Sequence, residues 1–111
     1  MLDDARLEAA FAEIRRENFL GPGPWPIGRS GGGYRVSRSD DPVYLYQDVL
    51  VGIICSKELN NGQPHFLAFL ISLGRLREGD HVVHIGAGVG YYTAIMARLV
   101  GATGKMTAIE Y

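Results

Sequence analysis

The sequence predicts an α/β fold: one part of a doubly wound, Rossmann-like parallel sheet, preceded by an N-terminal helical and loop extension. Three observations carry this. A β-branched run, His81-Val82-Val83-His84-Ile85, leads directly into Gly86-Ala87-Gly88-Val89-Gly90. Residues 91–100 then place Tyr92, Ile95, Met96 and Leu99 at helical spacing, and Gly101 and Gly104 close that helix. Lys105-Met106-Thr107-Ala108-Ile109-Glu110 reads as a second strand. Strand, glycine loop, helix and strand make a βαβ unit in about thirty residues, which requires the two strands to be parallel.

The totals agree with a globular chain. With 111 residues, 47% of them apolar and 21% charged, there is material for one small domain but not two. A formal net charge of −1 gives no reason to expect nucleic acid as a partner. The single cysteine, Cys55, cannot form an internal disulfide and reads as a small buried apolar residue. No run approaches the ~18 apolar residues of a membrane span, and the acidic start Met1-Leu2-Asp3-Asp4 is unlike a secretory signal. A cytoplasmic chain with no membrane association is expected.

Residues 3–19 have the pattern of an amphipathic helix. Asp3 or Asp4 would cap it, since a short carboxylate accepts from unpaired first-turn amides. Leu7, Ala10, Phe11 and Ile14 form the apolar stripe, while Glu8, Glu13, Arg15 and Arg16 fall mostly on the other side. Gly21-Pro22-Gly23-Pro24 stops the helix. Residues 21–42 hold six of the fifteen glycines and four of the five prolines, so no regular structure is expected there. That stretch reads as a plain connector or a lid, pinned through Trp25, Ile27, Tyr34 and Val36.

Residues 43–80 read as strand, turn and helix. The aromatic and β-branched residues from Val43 to Cys55 predict one or two short strands, broken near Gln47-Asp48. Asn60-Asn61-Gly62 is a turn signal, and Pro64 suits the first turn of a helix. Phe66, Leu67, Leu70 and Leu73 should be its buried face, with Gly74 ending it and His65 exposed at its start. Leu76 to Asp80 form a polar hinge.

The glycine loop has three readings. A phosphate-binding P-loop fails, because Met106 follows Gly104-Lys105 where Ser or Thr is needed, and position 99 is Leu99. A dinucleotide loop requires G-x-G-x-x-G, whereas the spacing here is G-x-G-x-G with bulky Tyr91 next. The third reading fits. Gly86-x-Gly88-x-Gly90, with Glu110 ending the next strand, resembles motif I of the S-adenosylmethionine-dependent methyltransferases.

A closer resemblance runs upstream. Ala12-Glu13-Ile14-Arg15-Arg16-Glu17-Asn18-Phe19-Leu20 looks like the opening helix of the protein-L-isoaspartate O-methyltransferases. Tyr44-Leu45-Tyr46-Gln47-Asp48 and Asn60-Asn61-Gly62-Gln63-Pro64 occupy, in order, the places of that family's aromatic-plus-Asp segment and its Thr-Ile-Ser-Gln-Pro turn. The resemblance implies the N-terminal portion of a doubly wound Rossmann-like methyltransferase fold, with S-adenosyl-L-methionine as cofactor and a protein or peptide as substrate. It implies that the loop residues Gly86, Ala87, Gly88 and Gly90 pass beneath the methionine and ribose, and that Glu110 holds the ribose hydroxyls. Asn61, Gly62, Gln63, His84, Tyr91 and Tyr111 complete the implied cofactor set, with the ring of Tyr91 at its border.

The chain also departs from the family. Gly62 stands where the family has a serine near the transferred methyl group, and His84 where it has an acid. His84 therefore has two readings: a core histidine satisfied by a backbone hydrogen bond, or a replacement for that acid. No Cys or carboxylate cluster accompanies the histidines, so no metal is expected. No catalytic residue is assigned, since an ionised carboxylate acceptor needs no general base. A fold of about seven strands takes roughly 200 residues. We therefore expect either an incomplete domain, or completion by copies of this chain or by another chain. The remaining readings are a non-catalytic oligomeric module that keeps the βαβ unit for packing, and a fragment of a nucleotide-linked oxidoreductase.

Overall fold

The fold was taken from a computed structural model, which describes residues 4–57 and 59–110. In chain order the elements are helix α1 (Ala5–Glu13), strands β1 (Pro26–Gly28), β2 (Tyr34–Val36), β3 (Gly52–Ile54) and β4 (Leu59–Asn60), helix α2 (Pro64–Gly74), strand β5 (His81–Ile85), helix α3 (Tyr91–Val100) and strand β6 (Lys105–Ile109). Short 3-10 turns occupy Arg16–Phe19, Pro42–Leu45 and Cys55–Lys57. Two compact units result, one from residues 1–15 and 67–111, the other from residues 16–66.

In the first unit β5 and β6 are parallel, in register from His81 opposite Lys105 to Ile85 opposite Ile109. The expected βαβ unit is therefore present. Gly101 closes α3 with a positive φ (69°), its amide reaching the Ala97 carbonyl. Gly104 lets the chain return closely, since a Cβ there would lie 2.5 Å from the Cβ of Val100. Tyr91, Tyr92, Ile95, Leu99 and Val100 are the buried side of α3. Large apolar side chains contribute roughly 1.5–3 kcal/mol each when fully buried, so this face anchors the unit.

Helix α1 packs on α3. Asp4 caps it, accepting from the Leu7 amide at 3.1 Å, while Asp3 lies outside the described residues. Leu7 and Ala10 are buried, and Phe11 meets the rings of Tyr91 and Tyr92 edge-on at 6.2 and 6.4 Å. The guanidinium of Arg6 donates to the carbonyls of Leu76 and Leu99, placing a cation at the negative end of α3. The helix is shorter than its periodicity suggests. Ile14 is already extended (ψ 114°), and residues 16–19 form a separate 3-10 turn. The cause lies in Arg16, read from the helical pattern as a surface residue but buried at 1% exposure. It cannot remain on the outer face of a continuing helix and bury its head.

In α2 the expected face is also corrected. Pro64 does start the helix, but Ala68 and Ile71 are its buried residues, whereas Phe66, Leu70 and Leu73 are exposed and Leu67 is half-buried. The helix is apolar on more than one side, so hydrophobicity alone does not choose a face. It ends at Gly74 as expected, and Arg75 follows in the left-handed region (φ 49°).

The second unit contains more order than its composition implies. Residues 21–42, expected to be irregular, hold an antiparallel hairpin pairing Pro26 with Val36 and Gly28 with Tyr34. Trp25 anchors it: the indole is buried with Leu45 and Val51, and its Nε1 donates to the Gly21 carbonyl at 3.0 Å. Tyr34 is half-buried and Val36 exposed, so the pinning is done by Trp25 and partly buried Ile27. Val43 to Leu45, expected as strand, lie in a 3-10 turn over Pro42–Leu45, because Asp41 accepts from the Val43 amide and Pro42 fits a first turn. Strands appear only later, where β3 pairs with β4 and Val51 bridges Ile27. Cys55, expected inside, is exposed on the turn that follows β3.

Candidate functional site

The glycine loop links β5 to α3 and wraps onto the end of β6. The amides of Gly86 and Ala87 both donate to the Ile109 carbonyl, at 2.8 and 3.1 Å, and Gly90 closes the turn on Ala87 at 3.0 Å. Gly86, Gly88 and Gly90 all have positive φ, 76°, 59° and 88°. The alternating glycine spacing thus follows from a backbone that passes through the left-handed region at every second residue. A Cβ built on Gly86 or Gly90 meets nothing within 4 Å, so the space beside the loop is open.

Glu110 joins this loop from β6. Its Oε1 accepts from the Gly88 amide at 2.8 Å, and among the described residues Oε2 makes no hydrogen bond or ion pair. One carboxylate oxygen fixes the side chain and the other is left to accept from a ligand. A carboxylate held in this way can receive hydroxyl donors with charge-assisted bonds. The amides of Gly86, Ala87, Gly88 and Gly90 are all spent inside the protein, so the loop is a surface of close approach and not a cradle of amides for phosphate.

His84 lies on the covered face of β5. Its Nδ1 is 2.7 Å from the Thr93 hydroxyl, so a side chain of α3, and not the backbone, satisfies it. Burial pushes the imidazole below its ordinary value of 6.5, while the negative charge of Glu110 pulls weakly the other way. Neutral His84 lines an apolar cavity of about 250 Å³ with Leu67, Leu70, Ile71, Tyr92 and Met96. Tyr91 is buried against Phe11 and Tyr92, its ring 4.9 Å from that of Tyr92.

The structure therefore gathers Gly86, Ala87, Gly88, Gly90 and Glu110, with His84 at the neighbouring strand end. Tyr111 lies outside the described residues. Asn61, Gly62 and Gln63 belong to the other unit, where Asn61 and Gly62 join a cluster of their own. Asn61 is buried, and its Oδ1 accepts from Nε of Arg16 at 3.0 Å. The same guanidinium donates to the carbonyls of Asn61, Gly62, Leu45 and Val49 at 2.9–3.1 Å. Asn60 supports the turn by accepting from the Gly62 amide at 3.1 Å, and Asp48 accepts from the His65 amide at 2.8 Å. Arg16 is the residue that sequence reasoning missed. The only signal was its membership of the segment that resembles the family's opening helix.

A parallel βαβ unit with a G-x-G-x-G loop and an acid on the second strand places the chain in the class of α/β methyltransferases. Comparison with known proteins narrows the class. The family described as Protein-L-isoaspartate(D-aspartate) O-methyltransferase (PCMT) matches residues 37–111, and the chain belongs to that family. A protein-L-isoaspartate O-methyltransferase of Thermotoga maritima is 34% identical over 104 residues, covering 92% of this chain and 28% of the relative. Protein-L-isoaspartate O-methyltransferase 2 of Archaeoglobus fulgidus is 48% identical over 48 residues, 43% of this chain and 22% of the relative. A solved protein-L-isoaspartate O-methyltransferase superposes with a TM-score of 0.72 at 28% identity, covering 97% of this chain and 30% of that one. The chain thus spans less than a third of the length of these relatives. Among the described residues no helix is long and apolar enough to cross a membrane.

Proposed function

We propose that this chain is the cofactor-binding part of an S-adenosylmethionine-dependent O-methyltransferase acting on a carboxylate of a protein or peptide. The bond between the Gly88 amide and Glu110 carries the reading, because it presets a carboxylate beside a loop with open space at Gly86 and Gly90. These residues fit the cofactor. Glu110 would hold the ribose diol through its second oxygen, and the glycines permit the backbone to lie close beneath the methionine and ribose. When bound, S-adenosylmethionine supplies an electrophilic methyl group on a sulfonium. The protein's task is then alignment and exclusion of water, for an acceptor carboxylate is already ionised near neutral pH.

The internal use of the loop amides supports this reading over a nucleotide-linked oxidoreductase, whose pyrophosphate would need them free. Gly62 offers no hydroxyl at the position where the family has a serine. The acceptor is accordingly proposed only as a protein or peptide carboxylate, in cytoplasmic surroundings. Titration calorimetry of the 111-residue chain tests the proposal: S-adenosylmethionine should bind in the micromolar range, and Gly88→Arg should abolish binding. A folded sample that takes up no cofactor would overturn it.

One observation favours a second reading, a non-catalytic oligomeric module. Ile85 is 70% exposed on the uncovered face of β5, with Val83 and Ile109 also exposed. That reading requires a molar mass that rises with concentration and indifference to cofactor.

A further inference from the structure

The β1–β2 hairpin carries a feature that methyl transfer does not use. Arg29, Arg35 and Arg38 line one groove of about 260 Å³ together with Ile27, Val36 and Tyr44. Among the described residues no carboxylate lines it. Of the acids nearest in sequence, Asp41 is engaged in capping the turn at Val43, and Asp40 is exposed beside it. Arg6, Arg16 and Arg98 all have partners, but among the described residues the guanidinium groups of Arg29, Arg35 and Arg38 make no hydrogen bond or ion pair. In a chain whose net charge is −1, this is a concentrated local excess of positive charge.

The hairpin also has an open edge. The Ser37 amide donates to Trp25 and the Arg29 amide to Gly33, at 2.8 and 2.9 Å. By the alternation of an antiparallel pair, Arg35 is turned toward β1, and the amides and carbonyls of Tyr34 and Val36 point away from it. β1 is engaged on its other side, where Gly28 donates to the Leu50 carbonyl at 2.7 Å and Ile27 bridges Val51. Among the described residues nothing pairs with the outer edge of β2.

We propose that this hairpin docks an extended, carboxylate-rich peptide. Its backbone would add along β2, its acidic side chains would meet Arg29, Arg35 and Arg38, and its apolar groups would lie on Val36 and Tyr44. Guanidinium groups bind carboxylates in a bidentate fashion, and an exposed strand edge supplies main-chain affinity. The proposal stands beside the methyl-transfer reading and does not depend on it.

Fluorescence anisotropy with a short labelled peptide rich in Asp and Glu tests it on the 111-residue chain. Binding should weaken with salt and fall about tenfold or more in Arg35→Gln/Arg38→Gln, as expected when rim and groove charges are removed. The control Arg75→Gln/Arg77→Gln, exposed and belonging to the other unit, should bind as the parent does. Three results would overturn the proposal: equal binding of a matched peptide with Asn and Gln in place of the acids, no effect of the hairpin variant, or tighter, equally arginine-dependent binding of an oligonucleotide of the same charge. S-adenosylmethionine titration of the same hairpin variant should be unchanged, which separates failure here from failure of the cofactor site.

Discussion

The Gly88 amide donates to the carboxylate of Glu110 at 2.8 Å, across twenty-two positions of sequence that contain all of α3. The bond couples the glycine loop to the end of β6, so the two parts of the βαβ unit proposed to face the cofactor are set together. Glu110→Gln keeps one acceptor oxygen but loses the charge. Its affinity for S-adenosylmethionine should fall about tenfold to a hundredfold, in line with about 1.5–3 kcal/mol for bonds to charged groups. Because Glu110 is exposed, its unfolding midpoint in urea should barely move. Unchanged affinity by calorimetry would remove Glu110 from the site.

Gly90 gives a prediction about the fold and not the ligand. It precedes α3 with φ +88°, and a Cβ there would meet nothing within 4 Å. Gly90→Ala should therefore cost only the backbone strain, about 1–2 kcal/mol. Urea denaturation measures it, and a stabilised variant would show that the left-handed turn is not held.

Arg16 is a highly connected side chain in residues 16–66. It donates to four backbone carbonyls and to Asn61 Oδ1. Arg16→Met should destabilise by about 3–5 kcal/mol, since buried acceptors would lose their donor. Arg16→Lys should recover little, because an ammonium cannot reproduce the planar fork. Equilibrium unfolding followed by Trp25 fluorescence reads this directly, and a Lys variant as stable as the parent would contradict the account.

Glu110 and Arg16 also mark what was legible in the sequence. The βαβ unit was readable because each part is local: β-branched strands, a glycine turn, and a helix with one apolar stripe. The acid at 110 was singled out by the resemblance of that unit to the methyltransferase motif. Arg16 was not readable, because its partners lie 29–46 positions away and the helical pattern continues past it. The hairpin at residues 26–36 escaped for a similar reason. Its order comes from burying Trp25 against Leu45 and Val51, a contact that no local count of Gly and Pro can detect. The buried face of α2 was misassigned because Phe66, Leu70 and Leu73 are as apolar as Ala68 and Ile71, and packing alone chose between them. Cys55 was placed inside on the habits of its residue type, whereas the 3-10 turn after β3 exposes it.

His84 supplies a pH dependence whose direction is set by its burial. The folded protein holds the imidazole below its ordinary value of 6.5, through desolvation that outweighs the attraction of Glu110. Above about 6.5 both folded and unfolded chains carry a neutral ring, and His84 adds no pH dependence. As pH falls below that value the unfolded chain takes up the proton first, so stability declines until the folded pKa is reached. Melting temperatures should therefore drop on acidification from pH 7.5 to 5.5. His84→Gln, which can still bond to Thr93, should flatten that part of the profile. Thr93→Val should lower stability at pH 7.5 by about 1 kcal/mol, the worth of one hydrogen bond. A His84→Gln profile as steep as the parent's would assign the acid sensitivity to other groups.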